Sequence, residues 1–286
     1  MDRRAVLGAN RYGKAEVRLL KVDRGSARHV LHDLTVSVAL WGDMDAVHLN
    51  GDNATVLPTD TQKNTVYAFA REFGVGPAEE FAALLAGHFV ASQPAVRGAR
   101  VDVEVHGWRR LADHSFASTG PDVRTASATV DEHGTRLLSG VRDLVLLSST
   151  GSEFKGFAVD RFTTLPETDD RILCTSVDAR WRHLEAQSDW ESSYASVRDA
   201  LTSAFADTYS HSLQETLFAL GERVVATCHG IAEVRLSLPN RHHFLVDLEP
   251  FGLDNPGEVF HVADRPYGLI EGTVLAPGTE ADPEAW

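Results

Sequence analysis

The strongest constraint on this chain is the order of its hydrophobic periodicities. Period-two stretches, then two helical stripes, then further period-two stretches occur in that order twice. Leu34, Val36, Val38 and Leu40 alternate with Thr35, Ser37 and Ala39, the pattern of a half-buried strand, and Val17 to Val22 supplies a hairpin partner. Val66, Phe69, Ala70 and Phe73 share one helical face. After the break at Gly74-Val75-Gly76-Pro77, Phe81, Leu84, Leu85 and Phe89 form a second stripe. Val101, Val103 and Val105 alternate with Asp102, Glu104 and His106, and Val123 to Val130 closes the set. The second half predicts strands at Leu144 to Leu147 and Ile172 to Trp181. Helices follow along Trp190, Tyr194, Val197, Leu201 and Phe205 and along Leu213, Leu217, Leu220 and Val224. Strands return at Val234 to Leu238 and Phe244 to Leu248, with Leu269 to Leu275 as a further candidate. The pattern is ββααββ twice, an α+β chain of antiparallel sheets with two helices on one face of each. The boundary falls between about Thr135 and Thr150, giving units at 8–140 and 141–280. Sheets of this kind leave edges that association covers, so an oligomer is expected.

A length of 286 residues, 43% of them apolar, suffices for one large or two ordinary cores. The net charge of −14, from 41 acidic against 27 basic side chains, argues against nucleic-acid partners and against adsorption to anionic membranes. Cys174 and Cys228 stand far apart, which predicts small buried hydrophobes in a reduced compartment and not a disulfide framework. Arg3-Arg4 is followed by no apolar stretch, so no secretory or twin-arginine signal is expected, and no run reaches the roughly 20 apolar residues of a spanning helix. The final residues, Pro283-Glu284-Ala285-Trp286, carry no peroxisomal tripeptide.

Six segments are candidates for chemistry. Thr59 and Gln62 have capping-box spacing ahead of a helical stripe, Pro58 keeps the entry extended, and Asp60 suits a helix N-terminus, which is also an anion-facing position. Lys14 stands in what reads as a Gly-containing entry loop, Asn10 to Lys14, where a lysine is by default solvated. Pro239-Asn240 reads as a turn between strands. The adjacent His242 and His243 would face opposite ways on a strand, and no third ligand stands at usual spacing, so no metal is expected. Ser149 to Phe154 is a polar connection ending in an aromatic. Arg171 at a strand start can pair with Asp169 or Asp170, or offer a planar fork to a planar anion. Gln214 opens a helix and is ordinarily an exposed polar residue. No P-loop, Rossmann fingerprint or Gly-x-Ser-x-Gly is present.

In order, five stretches resemble the urate oxidase (uricase) family. They are Tyr12-Gly13-Lys14, Thr59-Asp60-Thr61-Gln62-Lys63-Asn64-Thr65-Val66-Tyr67, Ser149-Thr150-Gly151-Ser152-Glu153-Phe154-Lys155-Gly156-Phe157, Asp170-Arg171-Ile172-Leu173 and Ser237-Leu238-Pro239-Asn240-Arg241-His242-His243-Phe244. The resemblance implies two tandem tunnelling-fold (T-fold) units. It implies oxidation of urate by dioxygen and water to 5-hydroxyisourate and hydrogen peroxide, with no metal and no organic cofactor. Lys14, Thr59 and His242 match the family's catalytic residues. Arg171, Gln214, Phe154, Asp60 and the backbone near Leu213 match its substrate contacts, and Asn240 the position beside dioxygen and water. It further implies a homotetramer with pockets between subunits, where Thr59 and Asp60 come from the neighbouring chain. Absence of a peroxisomal signal points to a bacterial-type cytoplasmic enzyme. Ser148, Pro58 and Leu213 depart from common family forms without removing a catalytic residue, and the tail after about Thr273 matches poorly and is assigned no role. Two other readings stay open on this fold. One is a purine or pterin binder without catalysis, disfavoured by the presence of Lys14, Thr59 and His242. The other is a zinc-dependent pterin-pathway enzyme, disfavoured by the lack of a Cys/His ligand set.

Overall fold

The computed structural model describes residues 5–263 and 265–286. Arg3 and Arg4, weighed above as part of a signal, lie outside the described residues. The chain divides into two compact units. One takes the chain up to Gly140 together with Glu185–Glu191 and Asp282–Trp286; the other takes Val141–Leu184 and Ser192–Ala281.

In the first unit, β1 (Tyr12–Asp23) and β2 (Val30–Gly42) form an antiparallel hairpin. The helices α1 (Asp45–Asn50), α2 (Thr59–Glu72) and α3 (Ala78–Ser92) come next, and then β3 (Val96–Val105). A small side hairpin, β4 (Trp108–Ala112) with β5 (Ser115–Ser118), precedes β6 (Val123–Asp131). The sheet runs β1-β2-β3-β6, with Val36 opposite Val103 and Val38 opposite Val101. Leu34, Val36, Val38 and Leu40 are all buried against Phe81, Leu85 and Phe89 of α3 and Val66 and Ala70 of α2. Each such aliphatic contributes about 1.5–3 kcal/mol by leaving water. Two predicted stripe members stay outside. Phe73 is 57% exposed because the helix ends at Glu72, and Leu84 is 41% exposed because the stripe runs through Phe81, Leu85 and Phe89 at steps of four.

The strand β7 (Gly134–Ser148) carries the chain from the first unit into the second. The second unit continues with β8 (Leu173–His183), α4 (Trp190–Asp207), α5 (Leu213–Thr227), β9 (Ile231–Pro239), β10 (His242–Leu245), β11 (Phe260–Ala263) and β12 (Leu269–Leu275). Its sheet runs β8-β9-β12, antiparallel throughout. Val197 and Leu201 of α4 and Leu213, Leu217, Leu220 and Val224 of α5 pack with Val177, Trp181, Val234, Leu236 and Leu238. The predicted strand at Phe244 to Leu248 is corrected here. Its first half belongs to β10, which leaves the main sheet to pair with β11, and Leu269–Leu275 takes the place beside β9. Phe244 and Leu245 are exposed, so no core holds that stretch in the sheet.

Two further expectations change. Cys174 is buried, but Cys228 is only half-buried; both are free thiols. The C-terminal tail is docked on the first unit: Arg136 bonds Asp282 and Glu284, and the Arg100 guanidinium donates to the carbonyl of Ala285 at 3.0 Å. Among the described residues no helix is long and apolar enough to cross a membrane.

Candidate active site

Lys14 lies within β1 and not in an entry loop. It pairs with Val38, and the register slips between Lys14 and Val17, where Glu16 adopts φ +56°. Gly13 makes that placement feasible. A Cβ there would stand 1.7 Å from the Val38 carbonyl oxygen, so only glycine lets β1 approach β2 so closely. Lys14 is half-buried and makes no ion pair or hydrogen bond among the described residues.

The Thr59 segment is reached from the same strand. The Tyr12 hydroxyl donates to the Leu57 carbonyl at 3.1 Å and accepts the Leu57 N–H at 3.0 Å. Pro58, extended at φ −52°, ψ 138°, then admits α2 with Thr59 as its first helical residue. The predicted capping box does not form. Pro58 holds the cap position, no side chain caps the helix, and Gln62 is buried with its amide N–H donating to Leu57 O at 3.2 Å. The Thr59 hydroxyl makes no hydrogen bond among the described residues. Asp60 is exposed, accepting from Lys63 at 2.5 Å and Asn64 at 3.0 Å. The Lys63 bond and charge hold its carboxyl below the usual range, and Asn64 and the charge of Lys14 add to that. Lys14 therefore lies within electrostatic reach of the α2 entry.

The remaining six candidates belong to the second unit. Backbone pairing draws them together around Ser152. Phe154 pairs with Thr168, Arg171 N–H donates to Ser152 O at 2.8 Å, and Ser152 pairs with Ser210, just ahead of α5. Two residues beyond the start of β8, Thr175 pairs with Asn240, while Arg241 N–H donates to Cys174 O at 2.8 Å. Thus the end of β9, the start of β8 and the start of α5 present Asn240, Arg171 and Leu213-Gln214 through adjoining backbone.

The sequence left Arg171 a choice between Asp169, Asp170 and a planar anion. Asp170 is engaged by the Thr150 hydroxyl at 2.8 Å and Gly151 N–H at 3.0 Å, and Asp169 by Lys155 at 2.7 Å. The Arg171 guanidinium pairs with no carboxylate among the described residues. Its Nε makes a long contact of 3.4 Å to the buried Ser152 hydroxyl, and its carbon lies 5.1 Å from the Phe154 ring centroid. Burial lowers its pKa with no acid to offset the effect, the condition of a cation prepared for an anionic ligand. Phe154 is half-buried and stacks on Phe157 at 5.0 Å.

Ser212 caps α5 by accepting Glu215 N–H at 3.2 Å. The Leu213 side chain is in the core, so only its backbone is available at the helix start, and Gln214 is exposed. The side chain of Asn240 makes no hydrogen bond among the described residues. The His242 ring stacks on Phe244 at 5.7 Å, whereas His243 is engaged through Nδ1 with Arg241 O at 3.0 Å. No three His, Cys, Asp or Glu side chains among the described residues gather as a metal site. Two participants escaped sequence reading: Ser152, wholly buried beside Arg171, and Tyr12, which carries the α2 entry. Neither has a signal outside its motif, because both act through backbone of remote segments.

A model of the Uricase family matches residues 10–129 and 137–271. The chain belongs to the uricase family. It is 50% identical over 285 residues to a uricase of Arthrobacter globiformis, covering 99% of this chain and 94% of that one. It is 37% identical to a uricase of Dictyostelium discoideum, covering 94% and 97%. The crystal structure of uricase from Arthrobacter globiformis superposes with a TM-score of 0.94 at 51% identity, covering 98% of each chain. A uricase structure from Bacillus fastidious, at 22% identity and a TM-score of 0.81 over 94% of each chain, shares the fold. The chain is accordingly an oxidoreductase of this family, on two α+β units consistent with the T-fold.

Proposed function

We propose that this chain oxidises urate, with O2 and water, to 5-hydroxyisourate and hydrogen peroxide, using no metal or organic cofactor. The observation that carries the reading is Arg171: a half-buried guanidinium over an aromatic ring with no carboxylate partner among the described residues. Urate is a flat anion with carbonyl and N–H edges. Arg171 offers it two parallel donors and a charge. Phe154 offers an offset stacking face. Gln214 supplies both donor and acceptor, and the backbone at Leu213 adds a helix-start N–H.

The reaction removes two electrons and protons from urate, reduces O2 to peroxide, and adds the hydroxyl of water to the ring. Lys14 and Thr59 form a proton path: Lys14 eases loss of the Thr59 hydroxyl proton, and Thr59 accepts one from urate. His242 exchanges a proton with the water that adds, and Asn240 holds that water or the peroxide. Asp60 contacts substrate beside Thr59. Lys14, Thr59 and Asp60 act on a pocket whose other six residues belong to a neighbouring copy. The assembly is a homotetramer of chains, each with T-fold units at 8–140 and 141–280. The Thr59 hydroxyl, unbonded among the described residues, the exposed Asp60 and the open outer strands β1 and β12 support this reading.

The test is direct. Purified chain without added metal should bleach the ultraviolet absorbance of urate, consume O2 and release peroxide, and chelator should make no difference. Binding of urate without turnover would replace this reading by the binder.

A further inference from the structure

We propose that Tyr12 and Gln62 are positioning residues that set the reach between Lys14 and Thr59. This rests on the proton path proposed above. It names two side chains outside that path which fix its geometry.

Lys14 and Thr59 come from different elements, a strand and a helix start, so something must hold their separation. Tyr12, two residues from Lys14, engages both polar groups of the Leu57 backbone, two residues before Thr59. The same Leu57 carbonyl accepts the Gln62 amide, which also lies against the Tyr12 hydroxyl. Burial raises the phenol's pKa, so the hydroxyl stays protonated and keeps its donor. Pro58 leaves only one stiff residue between this anchor and Thr59. Gln62 is wholly buried, yet its carbonyl oxygen has no hydrogen-bond partner among the described residues. A buried amide half satisfied is destabilising relative to an apolar side chain of similar shape. Its place under Leu57 therefore reads as positioning and not as core packing.

The fold supplies its own control. Tyr67, two turns further along α2, also bonds β1 through its hydroxyl, to Arg18 O at 3.1 Å. Tyr67→Phe removes a hydroxyl-to-backbone tether between β1 and α2 itself, away from Lys14 and Thr59.

The experiment compares the assembled parent with Tyr12→Phe, Gln62→Met and Tyr67→Phe. It measures kcat and KM for urate, the pH profile of kcat, binding of xanthine as a non-oxidised analogue, and Tm. A displacement of about 1 Å at a reacting group costs roughly 100-fold in rate. Tyr12→Phe is expected to lower kcat about 10- to 100-fold and displace its pH profile, with xanthine affinity kept. Gln62→Met is expected to lower kcat while Tm holds or rises, a split no structural role produces. Tyr67→Phe is expected to keep kcat. If Tyr12→Phe matches Tyr67→Phe in kcat and pH profile, the inference is overturned. If Tyr12→Phe does not fold, Gln62→Met decides: kcat and Tm falling together, or kcat unchanged, overturns it. No urate turnover by the parent overturns the functional reading and this inference with it. Parent turnover with unaffected variants overturns this inference alone.

Discussion

The guanidinium carbon of Arg171 lies 5.1 Å from the centroid of the Phe154 ring, and both neighbouring acids are bound elsewhere, Asp170 by Thr150 and Asp169 by Lys155. The two side chains form a corner with a charged donor edge and an apolar face. Arg171→Lys keeps the charge and loses the planar fork. Charge-assisted bonds contribute about 1.5–3 kcal/mol, so KM for urate should rise about 10- to 100-fold with a smaller change in kcat. Phe154→Leu should raise KM by a lesser factor, roughly 3- to 10-fold, from the lost aromatic contact. Steady-state kinetics on urate check both, and an unchanged KM in Arg171→Lys would remove the fork from the substrate site.

The approach of β1 to β2 beside Lys14 depends on a missing Cβ. Adding one at Gly13 would bring it to 1.7 Å from the Val38 carbonyl oxygen, which the backbone cannot absorb without the strands parting. Gly13→Ala should therefore lower stability by about 1–3 kcal/mol, as overpacking does. It should also reduce kcat more than KM, since Lys14 is the next residue. Thermal melting and turnover on one preparation check this; a melting temperature equal to the parent's would show that β1 can shift freely.

Alternation of apolar residues made β2, β3, β8 and β9 legible, because each has one face on a helix layer. The side hairpin β4–β5 and the diversion of β10 onto β11 were not legible. Their residues are mostly exposed, and pairing there follows from loop geometry instead of core burial. Capping-box spacing by itself also does not decide a cap. Ser212 with Glu215 forms a cap, whereas Thr59 with Gln62 does not, because Gln62 is drawn inward to Leu57 and Pro58 takes the cap position. Spacing could not separate them, as the difference lies in the burial of Gln62 and in Pro58 at the cap position. Likewise Arg171 had three partners open in sequence, and only the placement of Thr150, Gly151 and Lys155 removed two of them.

The working cap makes its own prediction. Ser212 accepts the Glu215 N–H, and Glu215 in turn accepts the His211 N–H at 2.9 Å. Ser212→Ala should lower stability by about 1 kcal/mol. Because α5 starts with Leu213 and Gln214, fraying of that turn should also raise KM for urate while kcat holds. Equilibrium unfolding together with kinetics checks it. Lost stability with KM unmoved would separate the cap from the substrate edge.

The tail offers a pH test. Arg136 bonds Asp131 at 2.8 Å, Asp282 at 3.0 Å and Glu284 at 3.1 Å, so one guanidinium joins the end of β6 to the C-terminus. Burial works to raise the Asp131 carboxyl, but the Arg136 bond, the His133 N–H and the charges of Arg136 and His133 together hold it below the ordinary value of 3.8. A carboxyl depressed in the folded state contributes stability above its unfolded pKa and loses it as pH falls through the folded one. The Asp131–Arg136 arm of the clasp should therefore be closed at neutral pH and open progressively as pH falls below 3.8. Arg136→Met should open it at every pH, at a loss of about 2 kcal/mol that comes mainly from Asp131 and Asp282, because Glu284 is 67% exposed and its pair is screened. Hydrogen exchange of residues 282–286 reads this directly. The Arg136→Met rate at neutral pH should exceed the parent's, and protection that survives in the variant would assign the docking to Arg100 and the buried Ala285 instead.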